Sequence, residues 1–295
     1  MTAGEQSTAV TNDSGRRSGR RLRTAIVRNT LLTAGALLII YPVLWLVMAS
    51  FKPESEIFSN PLALPTELFW DNYVEGWNGT GRPFGAYVIN SLIVCGGAVI
   101  GNMLACSMAA YAFARLQFRL RKVLFAIMLA TIMLPAQVLL IPQFSLFRSL
   151  GWVDSYLPLI VPKFLAIDAF FIFLMVQFLR GIPLQIDEAA RIDGCGPTAT
   201  YWRVLLPLMS PALVTTAIFT FIWTYDDFFG QLIYISSPSK FTVSLGLRAF
   251  LDSTGASAYG ALLAMSVVAI VPALVIFIVF QRKLVDGLAT SGLKG

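Results

Sequence analysis

The chain has 295 residues, 57% of them hydrophobic and only 13% charged, with a mean hydropathy of +0.72. Soluble domains run lower in apolar content, so the bilayer is the expected solvent. The formal net charge is +6 and there is no histidine, which excludes histidine metal sites, His-based triads and histidine proton relays.

Residues 1–28, rich in Ser, Thr, Gly and Arg, read as a disordered basic cytoplasmic N-terminus. The run "GRRSGRRLR" before an apolar stretch has the outline of a secretory or twin-arginine signal. No small-residue cleavage site follows, and the 22-residue apolar stretch is long for a signal, so an uncleaved first span is expected. A crossing needs about 20 mostly apolar residues. Six segments qualify: Asn29–Ser50, Tyr87–Phe113, Val123–Ile141, Tyr156–Leu179, Ala212–Ile235 and Tyr259–Phe280. They make residues 29–283 one six-span all-α integral membrane domain, followed by a cytoplasmic tail, 284–295.

With the N-terminus inside, sixteen of the 22 Lys and Arg fall in cytoplasmic segments and five in outer loops, while Lys163 lies within a span. That bias follows the positive-inside rule and puts both termini in the cytoplasm. The basic balance therefore reads as topology rather than as a nucleic-acid surface. The first outer loop, 51–84, carries four prolines, five acids, Trp70 and Trp77. It reads as a cap on a path, a contact for a solute-binding protein, or a pair of interfacial aromatic anchors. Cys95 and Cys106 sit eleven residues apart in one span, ~16 Å along a helix and too far for a disulfide. Cys195 faces the reducing cytoplasm.

Between the fourth and fifth spans lies "QIDEAARIDGCGPTATYW", Gln185 to Trp202, an unusual concentration of charge for so apolar a chain. Gly181 and Pro183 end the fourth span. Gln185 to Asp193 predicts a short helix, with Asp187 four residues before Arg191 as a surface pair worth ~0.2–0.5 kcal/mol. Gly194 suits the left-handed position after a helix end, and Pro197 the first turn of a second helix running to Leu206. Tyr201, Val204 and Leu205 share its apolar side, and Pro207 and Pro211 punctuate the next span. Tyr201 and Trp202 are exposed unless something covers them. A solvated loop needs none of this order; a docking element for a cytoplasmic partner explains it.

"EAARIDG" (Glu188, Ala189, Ala190, Arg191, Ile192, Asp193, Gly194), nine residues, then "VLLP" (Val204 to Pro207) resembles the EAA motif of ATP-binding-cassette importer permeases. The pattern is EAA, three residues, Gly, nine residues, Ile-x-Leu-Pro, with Val204 here in place of Ile. "MAAYAFARLQF" (108–118), "MLPAQVLLIPQF" (133–144) and the tail "QRKLVDGLATSGLKG" (281–295) resemble the maltose-type, carbohydrate-uptake branch, so the likeness spans about 30–295. It implies a type I importer permease fold in which the insert, 181–207, is a coupling-helix loop. Glu188, Ala189, Ala190, Arg191, Asp193, Gly194, Pro197, Tyr201, Leu206 and Pro207 would meet an ATPase, with Glu188 facing the partner. It further implies a second homologous permease, two ATPase subunits carrying ATP and Mg, an extracytoplasmic sugar-binding protein, and a home in the cell membrane among lipid. No cofactor is expected on this chain, which has no phosphate-binding G-x-x-x-x-G-K-[ST].

The fifth span carries "TFIWTYDDFFGQLIYI", Thr220 to Ile235. Where the family pattern reads Trp-Asn-Asp/Glu-Phe and then Pro-Leu, this chain has Tyr225-Asp226-Asp227-Phe228 and Gln231-Leu232. Asp226 lies 14 residues into the span, ~21 Å into a ~30 Å core. A carboxylate there needs water, a partner or a substrate hydroxyl. One reading has Trp223, Tyr225, Asp226, Asp227 and Phe228 lining a sugar path, the extra acid favouring an amino-bearing sugar. The other has Asp227 holding the helix against a partner permease. Asp168, Lys163, Asp226 and Asp227 are the candidates for an ion-coupled secondary transporter, the rival function; Lys163, near a span end, is expected to snorkel. A membrane scaffold that moves no solute is the other rival. Covalent chemistry by this chain is not expected.

Overall fold

The computed structural model describes residues 13–252 and 258–292. Residues 1–12, 253–257 and 293–295, the last including Lys294, lie outside the described residues. Among the described residues every regular element is helical.

Helix α1 (Asp13–Ala49) begins inside the segment read as disordered from its composition. Its apolar part, Ile26–Ala49, has a mean hydropathy of 2.3, and none of the window is buried within the chain. So much bare apolar surface requires lipid or another subunit. The loop that follows is folded onto the C-terminal end of α1 by α2 (Glu54–Ser59) and α3 (Asp71–Asn78). Lys52 is buried there, its Nζ donating to the Asn60 carbonyl at 2.8 Å. Asn72 Nδ2 donates to the carbonyls of Ser50 and Lys52 at 2.9 and 2.8 Å. Trp70 and Trp77 remain exposed.

Helix α4 (Phe84–Arg115) is the central strut, 32 residues without a proline. Small residues line its buried face and let neighbouring backbones approach. A Cβ on Gly101 would lie 2.7 Å from the Phe164 ring. α5 (Arg121–Thr131) and α6 (Ala136–Ser149) cover the third apolar segment, which sequence alone presents as one span. It is divided at Leu134–Pro135, because a residue preceding proline is pushed out of the helical region. The halves, 11 and 14 residues, are ~17 and ~21 Å long, and neither crosses a ~30 Å core alone.

The fourth segment holds α7 (Leu157–Ile160), a 3-10 turn (Val161–Leu165) and α8 (Ala169–Gly181), with Ala166 left-handed at φ 55° between them. The insert contains α9 (Gln185–Ile192), α10 (Pro197–Ala199), a π-helical stretch (Thr200–Leu205) and α11 (Leu206–Leu208). Its second helical run meets α12 (Ser210–Tyr225) at 75°. α13 (Phe228–Tyr234) completes the fifth segment after a break at Asp226–Asp227. α14 (Val243–Asp252) follows, and α15 (Tyr259–Gly292) carries the most apolar stretch, Tyr259–Gln281, and continues into the region read as a tail. Among the described residues four stretches are long and apolar enough to cross a membrane, or five if the bent pair is one span. All six apolar segments are helical, but the third, fourth and fifth are not single helices.

Candidate functional site

The insert begins where α8 ends. α9 stops at Ile192, one residue before the expected end, and Gly194 takes φ 81°, the left-handed position its sequence context predicts. The Cys195 N–H donates to the Ala190 carbonyl at 2.8 Å and closes the turn. Pro197 opens the next helix at its first position. That run widens to π geometry just before Pro207, which has no N–H to donate to the preceding turn and crowds its carbonyl.

One side of the insert is locked onto the C-terminal end of α4. Arg115 Nη2 donates to the Ile182 carbonyl at 2.8 Å, and its Nε lies 3.1 Å from Asp187 Oδ2. The angle of this second contact falls short of a hydrogen bond, so charge attraction holds it. The Tyr111 hydroxyl donates to the Pro197 carbonyl at 3.0 Å, and the Ser107 and Tyr201 hydroxyls share a hydrogen bond of 2.7 Å. The Tyr111 and Tyr201 rings are 5.3 Å apart, and Leu205 and Met209 are fully buried beneath them.

Two expectations are corrected here. Asp187 pairs with Arg115, not with Arg191, because a guanidinium in a pocket holds a carboxylate better than a solvated i, i+4 pair does. Tyr201 is buried by α4 of the same chain, while Trp202 stays exposed. The opposite side of the insert is open: Glu188, Ala189, Arg191, Asp193, Pro197 and Pro207 are exposed, and Ile192 is 86% exposed. Ala190 is buried and Leu206 half-buried. Among the described residues Glu188 and Arg191 make no ion pair or hydrogen bond through their side chains.

A second polar region lies deeper. Asp168 precedes α8, whose 13 residues put it ~20 Å from the end of that span at the insert. Its Oδ2 accepts from Lys163 Nζ at 2.8 Å and from Asn102 Nδ2 at 2.6 Å; Asn102 Nδ2 also donates to Thr220 Oγ1 at 3.0 Å. Lys163 thus does not snorkel, since a carboxylate within reach replaces the water it would seek.

The five residues expected on the path separate into two groups. Trp223 and Asp226 are exposed, Trp223 lying 5.6 Å from the exposed Phe170 ring. Phe228 is half-buried. Tyr225 is buried and its hydroxyl donates to the Ala269 carbonyl at 2.8 Å. Asp227 caps α13, accepting from the Gly230 N–H at 2.9 Å. Gln231, in the place of a helix-interrupting proline, donates to the Thr224 carbonyl at 2.9 Å and accepts from the Thr242 hydroxyl, so the break is held by a side chain.

Sequence reasoning gave no role to Ser107, Tyr111 or Arg115, although polar groups at every fourth residue mark one helix face. Asn102, Phe170 and Ile192 were also missed; an amide alone in an apolar span was the available signal for Asn102.

Residues 101–288, which include the C-terminal half of α4, the insert and the broken third, fourth and fifth segments, match the family described as binding-protein-dependent transport system inner membrane component. The chain belongs to this family. This permease is 34% identical to the arabinooligosaccharides transport system permease protein AraQ of Halalkalibacterium halodurans, over 92% of its own length and 99% of that protein. It is 33% identical to the diacetylchitobiose uptake system permease protein NgcG of Streptomyces coelicolor, over 89% and 86% of the two chains. It is 29% identical to the trehalose/maltose transport system permease protein MalG of Thermococcus litoralis, over 93% and 100%. A crystal structure of a bacterial ABC transporter involved in the import of the acidic polysaccharide alginate contains a chain of the same fold, with TM-score 0.76, 24% identity and coverage of 93% and 99%. The permease is therefore a multi-pass membrane transport component and not an enzyme.

Proposed function

We propose that the permease is one of two membrane subunits of an ATP-driven importer for a sugar or sugar derivative, and that the insert receives the motion of an ATPase subunit. The observation that carries this reading is the two-sided insert. One face is bound to α4 by buried polar contacts; the other exposes Ile192 and Trp202, and presents Glu188 and Arg191 without side-chain partners among the described residues. A solvated loop would have neither an anchored face nor 86% exposure of an isoleucine. Glu188 is free to meet a partner charge because Asp187 is already paired.

In this reading all six apolar segments cross, the third, fourth and fifth as broken spans, with both termini cytoplasmic and the insert on the same side. The ATPase subunits carry ATP and Mg, and a binding protein delivers substrate at the outer face. The named substrates of the relatives, arabinooligosaccharides, diacetylchitobiose and trehalose/maltose, support a carbohydrate cargo. Trp223 with Phe170 offers an aromatic surface for a sugar ring and Asp226 an acceptor for its hydroxyls. Tyr225 and Asp227 serve the helix instead.

The test is gentle purification of the parent complex beside the Glu188→Ala, Gly194→Pro variant. A nucleotide-binding subunit present in the first and lost from the second is expected. A parent complex without any ATPase overturns the reading and points to gradient-driven uptake.

A further inference from the structure

The coupling reading leaves open which span takes up the motion, and the contacts of α4 answer it. Its cytoplasmic end holds the insert three times, at Ser107, Tyr111 and Arg115. These contacts fall on both helices of the insert and on the end of α8, so the insert cannot shift as a body without pulling on α4. Arg115 is the firmest of the three: its side chain is 6% exposed and it bridges a carbonyl and a carboxylate. Thirteen residues up the same unbroken helix, ~20 Å away, Asn102 is fully buried and bonded to both Asp168 and Thr220.

Asp168 stands at the break that opens α8, and Thr220 lies on α12 five residues before that helix ends at Tyr225. A helix of 32 residues with no proline and a closely packed small-residue face moves as a rigid body. The break in α8 contains a left-handed alanine and a 3-10 turn, so it can change direction without unwinding a regular helix. The stiff element thus joins the insert to the soft one.

We infer that α4 is the lever of this permease, with Arg115 a positioning residue at its driven end and Asn102 the relay that delivers the displacement to the Lys163–Asp168 pair at the break in α8. This rests on the insert being the ATPase dock. The lever makes the break, rather than the insert, the place where nucleotide state is read out within the membrane.

The test uses the complex purified from its native membrane, carrying Cys195→Ser and Ile167→Cys. Position 167 is exposed within the break, whereas Cys95 and Cys106 are buried. The readout is the rate of modification by a small methanethiosulfonate reagent with and without ATP and Mg, alongside ATP hydrolysis and the amount of co-purified ATPase. The parent is expected to change its rate with nucleotide. Coupling between sites runs to ~5–150-fold, so Arg115→Gln and Asn102→Val are each expected to reduce that nucleotide effect at least about fivefold while hydrolysis continues, and Arg115→Lys to retain most of it. Asn102→Val leaves every insert contact in place, so it carries the test if Arg115→Gln releases the ATPase. A full nucleotide effect in both variants overturns the lever. An effect lost in Arg115→Gln but kept in Asn102→Val overturns the relay. A parent complex without ATPase overturns the docking reading first, and the lever with it.

Discussion

In the proposed orientation, with the insert cytoplasmic, the permease has a polar clasp at each side of the membrane, and they are built differently. At the cytoplasmic side Arg115 and Asp187 are 6% and 18% exposed and tie the insert to a span. At the outer side Asp154 gathers the N–H groups of Ser236 and Ser237, the Ser237 hydroxyl and the Lys240 ammonium, joining two loops. There the ion pair is 31% and 41% exposed. The inner clasp spends few contacts in a desolvated place; the outer one uses many contacts in water. Removing one member of a desolvated pair strands the other charge at a cost of ~3–5 kcal/mol, whereas a solvated pair is worth only ~0–1 kcal/mol. In the proposed coupling, the joint that carries the force is the desolvated one.

The comparison is broken most sharply at Asp187. Asp187→Ala leaves the Arg115 guanidinium buried with only the Ile182 carbonyl as a partner. Removing one member of a buried pair destabilises by ~3–5 kcal/mol. The variant is expected to unfold markedly earlier in detergent by thermal denaturation, and the complex to lose ATP-coupled uptake. A shift no larger than that of a surface substitution would place the inner pair in the same class as the outer one.

Much of this was legible before any coordinates. Apolar runs mark the segments, and the Gly194 and Pro197 punctuation locates the turn between the two helices of the insert within a residue. What escaped notice had nearby decoys. Arg191 stood at the right spacing to take Asp187, so nothing local pointed to Arg115 in another span. Tyr201 looked bare because its cover, Ser107 and Tyr111, lies far away in sequence. Pro135 was in plain view, but hydropathy does not register a missing N–H, and the third segment read as continuous. Asp227 carried a charge that invited a substrate, yet the helix start after it took the carboxylate first.

The break in the fifth span gives an intermediate case. Gln231 is 1% exposed and occupies both its carbonyl and its amide on Thr242 and Thr224. Gln231→Leu keeps the volume but leaves the Thr224 carbonyl and the Thr242 hydroxyl without that partner. An unsatisfied buried group costs ~1–3 kcal/mol, and the melting temperature should fall less than in Asp187→Ala. If Gln231→Pro, which restores the family pattern, is better tolerated than Gln231→Leu, the break is set by backbone geometry and the amide only decorates it.

Tyr201→Phe removes one hydroxyl from the inner clasp while keeping the ring against Tyr111. Ser107 retains its bond to the Leu104 carbonyl, so no donor is stranded. The expected loss is ~1 kcal/mol, the net value of a single hydrogen bond, read as a small shift in melting with the ATPase still bound.

The smallest effect belongs to the outer clasp. Hydrogen bonds from Ser237 and Lys240 hold the Asp154 carboxyl well below its ordinary range. A carboxyl depressed in the folded state adds stability above its unfolded pKa, about 3.9, and loses it as pH falls through the folded value. Because the folded value lies below the unfolded one, the clasp should stay closed at pH 4. Asp154→Asn keeps the shape but gives up the charge-assisted bonds. An exposed pair is worth ~0–1 kcal/mol, so the melting temperature should barely move. Hydrogen exchange at the Ser236 and Ser237 amides is the sensitive readout: protected in the parent at pH 7 and pH 4 alike, faster in Asp154→Asn at both. Protection lost by the parent between pH 7 and pH 4 would mean that the carboxyl titrates like a free one and that the outer loops are held by something else.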